Sequence, residues 1–144
     1  GTFDAGISQG WTTDDPVNIV ADANNNGSPA NPVNSVKMTA TTVNKHLFSP
    51  KITLTSGKTY NISTYVNIKQ LTSGEVGFYI DEYDANGNWI SGQYITGARA
   101  IGTSTVSFNY TPTSTNVRSA SLQVILVGNS GIVAYVDNVA WVQN

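Results

Sequence analysis

The chain contains no cysteine and only one histidine among its 144 residues. Without cysteine, neither a disulfide framework nor a thiolate metal site is available. Only 11% of the residues are charged, against about 25% in an average soluble domain. The seven Lys and Arg residues are scattered, so nucleic acid is not an expected partner. No apolar run approaches the roughly 20 residues of a membrane-spanning helix, so no membrane partner is expected either.

The amino-acid composition indicates a folded domain with a polar but uncharged surface. Hydrophobic residues make up 40% of the chain, whereas disordered segments combine low hydrophobicity with high charge. The length fits one domain over residues 1–144, and no internal repeat is evident. A neutral surface rich in Thr, Ser and Asn suits uncharged, hydroxyl-rich ligands. Because no signal peptide precedes Gly1, we interpret the chain as a monomeric module cut from a larger secreted or cell-surface protein.

Apolar residues alternate with polar ones along most of the chain, which is typical of β-strands. Clusters of Gly, Pro, Asn and Ser separate the alternating segments, and no stretch shows helical spacing. This pattern predicts an all-β fold, a sandwich of two antiparallel sheets. The predicted strands of a concave sheet are 60–68, 75–83, 89–96 and 120–127. Those of the other sheet are mainly 1–11, 35–41, 47–54, 104–110 and 132–142.

One hairpin is predicted in detail around Asp84-Ala85-Asn86-Gly87-Asn88. A two-residue loop at Asn86-Gly87 would pair Ile80 with Gln93, an amide opposite a core aliphatic. A three-residue loop with Gly87 in the left-handed conformation avoids this pairing, and we prefer it. Its register pairs Phe78 with Tyr94 and Ile80 with Gly92 on an apolar face. The opposite face then collects Tyr79, Asp81, Tyr83, Trp89 and Gln93.

The acidic residues do not predict an enzyme. Glycoside hydrolysis needs two carboxylates about 5–10 Å apart across a cleft. Asp81 and Glu82 are adjacent on a strand and point to opposite faces. Glu75 could share a face with Asp81, but a single strand would hold the two about 20 Å apart. His46 is the only histidine and has no nucleophile motif beside it, so we interpret it as a solvated residue at a strand edge.

Three short motifs occur in order along the chain. They are Gly1-Thr-Phe3-Asp4 followed by Gly10-Trp11, then Ile52-Thr-Leu54-Thr-Ser-Gly57-Lys58-Thr-Tyr60, then Ala134-Tyr-Val136-Asp137-Asn138-Val139. Together they resemble the jelly-roll carbohydrate-binding modules of families four, nine, sixteen and twenty-two. The resemblance implies a jelly-roll β-sandwich that is not an enzyme. Because one fold can host many functions, the resemblance predicts the fold of this chain more safely than it predicts the ligand.

The resemblance also implies one structural calcium ion. The family uses the acidic residue after its N-terminal Phe and the Asp of its last strand, which map here to Asp4 and Asp137. Thr2 and Asn34 are further candidate ligands. Calcium takes six to eight hard oxygen ligands, which carboxylates and backbone carbonyls supply. The alternative is that both acids are ordinary residues at strand ends.

The aromatic residues divide into a core set and a surface set. Six lie on core-like phases, namely Phe3, Phe48, Tyr60, Phe78, Phe108 and Trp141. Trp11 is ambiguous, because the family usually buries this residue but some members expose it. The surface set combines rings with amides and an acid: Tyr65, Tyr79, Tyr83 and Trp89 with Asn67, Asp81, Gln93 and Gln123. Rings that stack on pyranoses beside amides that bond hydroxyls predict a sugar-binding face, although ordinary cross-strand pairs would look the same.

We therefore predict a non-catalytic module that binds a β-linked polysaccharide of glucan, mannan or xylan type on its concave sheet. The module would bring an attached glycoside hydrolase to its substrate, which is an effective-concentration effect. The main alternative is a structural or adhesive surface module, in a phage tail or a cell-wall protein, with a protein or host glycan as partner. An isolated hydrolase is a distant third.

Overall fold

The computed structural model describes residues 2–144 as a β-sandwich, and this part of the chain contains no helix. Consequently, no helix within residues 2–144 is long and apolar enough to cross a membrane. Eleven strands occur in this part of the chain. Their bounds are Thr12–Thr13 (β1), Ile19–Asp22 (β2), Ser35–Thr39 (β3), Lys45–Phe48 (β4), Ile52–Thr53 (β5), Tyr60–Leu71 (β6), Val76–Tyr83 (β7), Trp89–Ala98 (β8), Gly102–Tyr110 (β9), Ser119–Leu126 (β10) and Ile132–Gln143 (β11).

The strands form two sheets in which all paired neighbours are antiparallel. The front sheet has the order β1-β4-β10-β7-β8, and β5 also pairs with β10. The back sheet has the order β2-β3-β11-β6-β9. The structure thus confirms the predicted all-β sandwich of two antiparallel sheets.

Three parts of the predicted strand arrangement are wrong. Segment 60–68 belongs to the back sheet, where β6 pairs with β9 and β11. Segment 47–54 supplies β4 and β5 to the front sheet. Residues 2–11 form turns instead of a strand, and Gly1 lies outside the described residues. The physical reason is that alternation determines which residues point inward, but not which distant strand becomes the neighbour.

One hydrophobic core lies between the two sheets. The front sheet contributes residues such as Phe78, Ile80 and Leu122, and the back sheet contributes Ile62 and Val66, all of them wholly buried. Their neighbours along each strand point outward, as a period of two requires. Each sheet therefore keeps one face for packing and presents its other face outward.

A single buried acid connects the two sheets. Glu82 points inward from β7 and has no exposed surface. Its Oε1 accepts hydrogen bonds from the Tyr110 hydroxyl at 2.8 Å and from the Thr113 backbone N–H at 3.0 Å. Its Oε2 accepts hydrogen bonds from the Ser91 hydroxyl at 2.9 Å and from the Thr113 hydroxyl. Burial alone would raise the pKa of Glu82, but these donors outweigh it and lower that pKa below its ordinary value.

Candidate functional site

The β7–β8 hairpin has the predicted three-residue turn. The Gly87 N–H donates to the Asp84 carbonyl at 3.0 Å, and Gly87 has a φ of 78°. The Asp84 carboxylate accepts the backbone N–H groups of Asn86 at 2.8 Å and Asn88 at 2.9 Å. These bonds hold the pKa of Asp84 below its ordinary value. The turn places Tyr83 opposite Trp89, as expected from the sequence.

Beyond the turn, the predicted register is wrong because β8 contains two bulges, one at Ile90 and one at Ile95, and Phe78 lies opposite Thr96 instead of Tyr94. One extra residue, Ile90, separates the Tyr83–Trp89 pair from the next pair along the hairpin. As a result, Gln93 lies opposite the core residue Ile80, and Tyr94 lies opposite Tyr79. Tyr94 therefore takes the place on the outer face that the sequence analysis assigned to Gln93.

Three rows of cross-strand neighbours cross the outer face of the front sheet. In order along the strands, these rows are Gln123–Tyr79–Tyr94, Ser121–Asp81–Gly92 and Ser119–Tyr83–Trp89. The middle row has the smallest side chains, so it forms the floor of a trough between two taller rows. The flanking rows are four residues apart on β7, or about 13 Å. We call these nine residues the front-face trough.

The trough floor carries a carboxylate that contacts both sides. Oδ1 of Asp81 accepts the indole N–H of Trp89 at 3.1 Å. Oδ2 of Asp81 accepts the Gln123 amide at 3.0 Å. Three of the predicted binding residues, Asp81, Trp89 and Gln123, therefore form one hydrogen-bonded group.

Aromatic rings dominate the walls of the trough, but they are not equally available. Trp89 is 61% exposed and Tyr94 is 45% exposed. Tyr79 packs edge-on against Tyr94 with ring centroids 5.3 Å apart. The Lys51 ammonium lies 3.8 Å from the centre of the Tyr83 ring and covers one of its faces. Trp89 and Tyr94 thus offer the most ring surface to a ligand.

The structure adds residues to this face that the sequence analysis placed elsewhere. Phe48, predicted to be a core residue, lies opposite Gln123 on the outer side of β4, while its neighbour Leu47 is wholly buried. The His46 ring stacks on Phe48 at 5.6 Å, and His46 Nδ1 lies 2.5 Å from an Asp14 carboxylate oxygen. Leu47 and Phe48 are adjacent apolar residues on opposite faces of β4, so alternation alone did not decide which of them points inward.

Two predicted binding residues, Tyr65 and Asn67, lie outside the trough. Both point outward, as expected, but β6 belongs to the back sheet. They therefore lie on the opposite side of the sandwich from Trp89. Trp11 is also separate: its ring packs edge-on against Phe3 at 4.8 Å and is half-buried against the core.

A second polar site lies on the outer side of the back sheet beneath the segment 27–34. Asp137 is wholly buried, and its Oδ2 accepts the Ser28 backbone N–H at 2.8 Å. Among residues 2–144, the buried side-chain oxygens without a hydrogen-bond partner are Asp137 Oδ1 and Ser35 Oγ. A side chain at Gly27 would collide with the Asn31 carbonyl and would lie 2.8 Å from the Asn34 carbonyl and 3.0 Å from Asp137 Oδ2. Several hard oxygens thus converge on one small space.

The other predicted calcium ligands contact the same segment from the N-terminal side. Oδ1 of Asp4 accepts the side-chain amides of Asn31 at 2.7 Å and Asn34 at 3.0 Å. Thr2 donates its hydroxyl to Asp4 Oδ2 at 2.9 Å. These three donors lower the pKa of Asp4, so it is a carboxylate at neutral pH. The part of the chain that the structure describes has no group of three or more His, Asp or Glu side chains that could hold a metal, so a cation here would need neutral oxygen ligands as well.

The fold and the face define a class of protein. The sequence profile of the carbohydrate binding domain family CBM_4_9 matches residues 1–131. The chain belongs to this family of carbohydrate-binding domains. No match was found among curated protein sequences.

Solved structures of carbohydrate-binding modules share the fold. A family 16 carbohydrate-binding module matches with a TM-score of 0.70 and 17% identity, covering 99% of this chain and 96% of its own. The CBM22-1 xylan-binding domain from Paenibacillus barcinonensis Xyn10C matches with a TM-score of 0.68 and 15% identity, covering 99% and 90%. The CBM22-1 and GH10 modules of Clostridium thermocellum xylanase 10B, complexed with xylohexaose, match with a TM-score of 0.69 and 16% identity, covering 99% and 28%. At these identities the likeness establishes the fold alone.

Proposed function

We propose that the front-face trough binds one chain of a neutral β-linked polysaccharide of glucan, mannan or xylan type. The observation that carries this proposal is the exposed Trp89 ring, which extends over the Gly92 end of the floor to Asp81 and lies on the same face as the Tyr79–Tyr94 pair. Large exposed rings grouped on one face of a domain usually mark an interaction site. One structural neighbour is a xylan-binding domain and another is complexed with xylohexaose, which supports the same ligand class.

Binding would follow from two complementary interactions. Sugar rings present C–H faces that stack on the π-systems of Trp89 and Tyr94. Their hydroxyls act as both donors and acceptors, so the atoms of the Gln123 amide that do not contact Asp81 would pair with them. Because the floor row runs across three strands, the sugar chain would lie across the sheet.

The module would act without breaking a bond. We propose that it is carried by a secreted polysaccharide-degrading protein and acts as a single chain. By binding the polysaccharide, it would raise the concentration of an attached catalytic domain at the substrate. The CBM22-1 and GH10 modules of the xylanase structure support this arrangement, because a binding module and a catalytic module occur there together.

The decisive experiment is a panel of soluble β-glucan, mannan, xylan and galactan oligosaccharides titrated by calorimetry into the wild-type chain and Trp89→Ala. We expect Trp89→Ala to lose about 1–3 kcal/mol of binding, by analogy with ring stacking on other flat ligands. This is about a 5- to 150-fold loss of affinity. Since the ring lies outside the core, the free energy of unfolding should fall by less than about 1 kcal/mol.

Tyr65→Ala is the matched control, because Tyr65 is an outward aromatic residue on the back sheet. It should leave the affinity unchanged. If Trp89→Ala binds as well as the wild type, or if only Tyr65→Ala weakens binding, the trough is not the sugar site. Binding of a protein or host glycan, with no binding of the plant and microbial oligosaccharides, would instead favour the adhesive alternative.

We further propose that one calcium ion stabilises the fold beneath segment 27–34. Asp137 and Asp4 would supply charge, and Ser35 with the Asn31 and Asn34 carbonyls would supply neutral oxygens. These donors suit calcium, which prefers carboxylate, carbonyl and hydroxyl oxygens. The unpaired buried Asp137 Oδ1 supports the proposal, since a buried carboxylate oxygen without a partner is costly. The ion would tie the N-terminal segment to β11 and would take no part in binding sugar.

A further inference from the structure

The trough floor contains an acid whose two oxygens are already engaged. Asp81 is only 8% exposed, although it points to the outer face. Its oxygens accept the Trp89 indole at 3.1 Å and the Gln123 amide at 3.0 Å. The two partners stand on β8 and β10, the strands on either side of β7. One carboxylate therefore links the side chains of three neighbouring strands.

Gly92 makes the indole contact possible. A Cβ at Gly92 would lie 2.9 Å from Asp81 Oδ1 and 3.5 Å from Trp89 Cζ2. The indole ring consequently lies beside bare backbone of β8 at the height of the floor. A larger residue at this position would separate the indole from the carboxylate.

We propose that Asp81 is a positioning residue for the sugar site, a role that rests on the proposed function of the trough. Its carboxylate holds the Trp89 ring and the Gln123 amide in their binding orientations before a ligand arrives. Preorganisation of this kind raises affinity, because the two side chains have already lost the freedom that binding would remove. Asp81 acts through Trp89 and Gln123, since both of its oxygens are occupied by protein donors.

The first test uses the ligand-free protein. The emission and acrylamide quenching of Trp89 are isolated by subtracting the signal of Trp89→Phe, which removes the contributions of Trp11 and Trp141. We expect Asp81→Ala to increase the quenching of Trp89 and shift its emission to the red. Gly92→Ala should do the same without removing the charge. Ser121→Ala, the matched floor control, should leave Trp89 quenching unchanged.

The second test measures coupling by calorimetry with the tightest-binding oligosaccharide of the panel. Asp81→Ala should lower affinity about tenfold, or 1.4 kcal/mol. In a Trp89→Phe, Gln123→Leu double variant, neither partner can donate to Asp81. Adding Asp81→Ala to this double variant should therefore lower the affinity by about threefold or less. Thermal melts of every variant establish that it is folded, and Gly92→Ala serves in place of Asp81→Ala if the latter is not.

Two results would overturn the positioning role. One is unchanged Trp89 quenching in both Asp81→Ala and Gly92→Ala. The other is an equal loss of affinity in the wild type and in the double variant, which would mean that Asp81 bonds the sugar directly. If the wild type binds no oligosaccharide, the proposed function fails, and the quenching result still decides whether the acid holds the indole. The two failures are therefore distinguishable.

Discussion

The two outer faces of the sandwich follow the same alternation along their strands but present different chemistry. The front face groups aromatic rings around a row of small side chains, and the rings of Trp89 and Tyr94 are the exposed ones. The back face carries mostly Ser, Thr and Asn, and its Tyr135 is only 9% exposed. Its buried acid, Asp137, lies under segment 27–34. Alternation thus gives each sheet an outer face. The chemistry of that face depends on its side chains and on the loops that cover it.

This difference suggests a division of roles. Substitutions in the front-face trough should change affinity with little effect on stability, because the rings lie outside the core. Changes at the cation site on the back face should alter stability with little effect on affinity. Both faces depend on one buried group, Glu82, which connects the two sheets.

The largest effect is expected at Glu82, which fixes the front sheet to the back sheet through Tyr110. Glu82→Gln should lower the free energy of unfolding by about 3 kcal/mol, because hydrogen bonds to buried charged groups are the strong ones. Chemical denaturation measures the loss. Glu75→Gln is the control: Glu75 pairs with the exposed Arg99, and surface pairs contribute little. Equal losses in the two variants would show that Glu82 does not connect the sheets.

The lowered pKa of Glu82 also predicts that the folded protein is destabilised by acid. The pKa of Glu82 in the folded state lies below its ordinary value of 4.5. A lowered folded pKa gives stability that is present above the unfolded pKa and is lost as the pH falls through the folded pKa. The wild type should therefore lose stability as the pH drops below about 4.5, and Glu82→Gln should show a shallower loss. Parallel curves for the two proteins would contradict this assignment.

The next largest effect on stability is expected from calcium binding at the back face. An ion that binds only the folded state at about 100 times its Kd adds about 2.7 kcal/mol. Since 1 kcal/mol shifts the Tm of a domain of this size by about 2–4 °C, excess chelator should lower the Tm by several degrees. Sugar affinity of the folded protein should not change. Asp137→Ala should abolish the difference between calcium and chelator, and superimposable wild-type melts would rule out the site.

The local features of the fold were predictable from the sequence because they depend on neighbours along the chain. Alternation identified the inward residues Phe78 and Ile62, since a strand turns every second side chain to the same face. Asp84 and Gly87 identified the turn, because its geometry requires a positive φ at one position. These features need no knowledge of distant strands.

The candidate site was only partly predictable because it depends on long-range pairing. Tyr65 and Asn67 were correctly expected to point outward, but the sheet that receives β6 is decided by contacts with β9 and β11. The bulge at Ile90 exchanged the positions expected for Gln93 and Tyr94. A bulge adds one residue without a clear local signature, so a register counted from the turn fails beyond it.

The bulge gives a sharper test of the front face. Tyr94→Ala should lose about 1–2 kcal/mol of binding, or about 5- to 30-fold in affinity, because the ring offers a stacking surface beside Tyr79. Gln93→Ala should change affinity by less than about twofold, since Gln93 lies opposite the core residue Ile80. Calorimetry on the two single variants makes the comparison. The reverse order of losses would restore the register without a bulge and place Gln93 on the sugar face.

The smallest effect is expected at the hairpin tip that carries Trp89. Gly87 has a φ of 78°, where a β-branched side chain is strained. Gly87→Val should therefore destabilise the protein by somewhat more than about 1 kcal/mol.

Asn88→Val is the matched control, because the Asn88 backbone N–H can keep its 2.9 Å bond to Asp84 after the side chain is changed. Its effect on unfolding should be mild. Since the turn sets the pairing of Tyr83 with Trp89, Gly87→Val should also weaken sugar binding slightly, whereas Asn88→Val should not. Denaturation and calorimetry on this pair separate the outcomes, and equal small effects in both would mean that the turn does not hold the trough in shape.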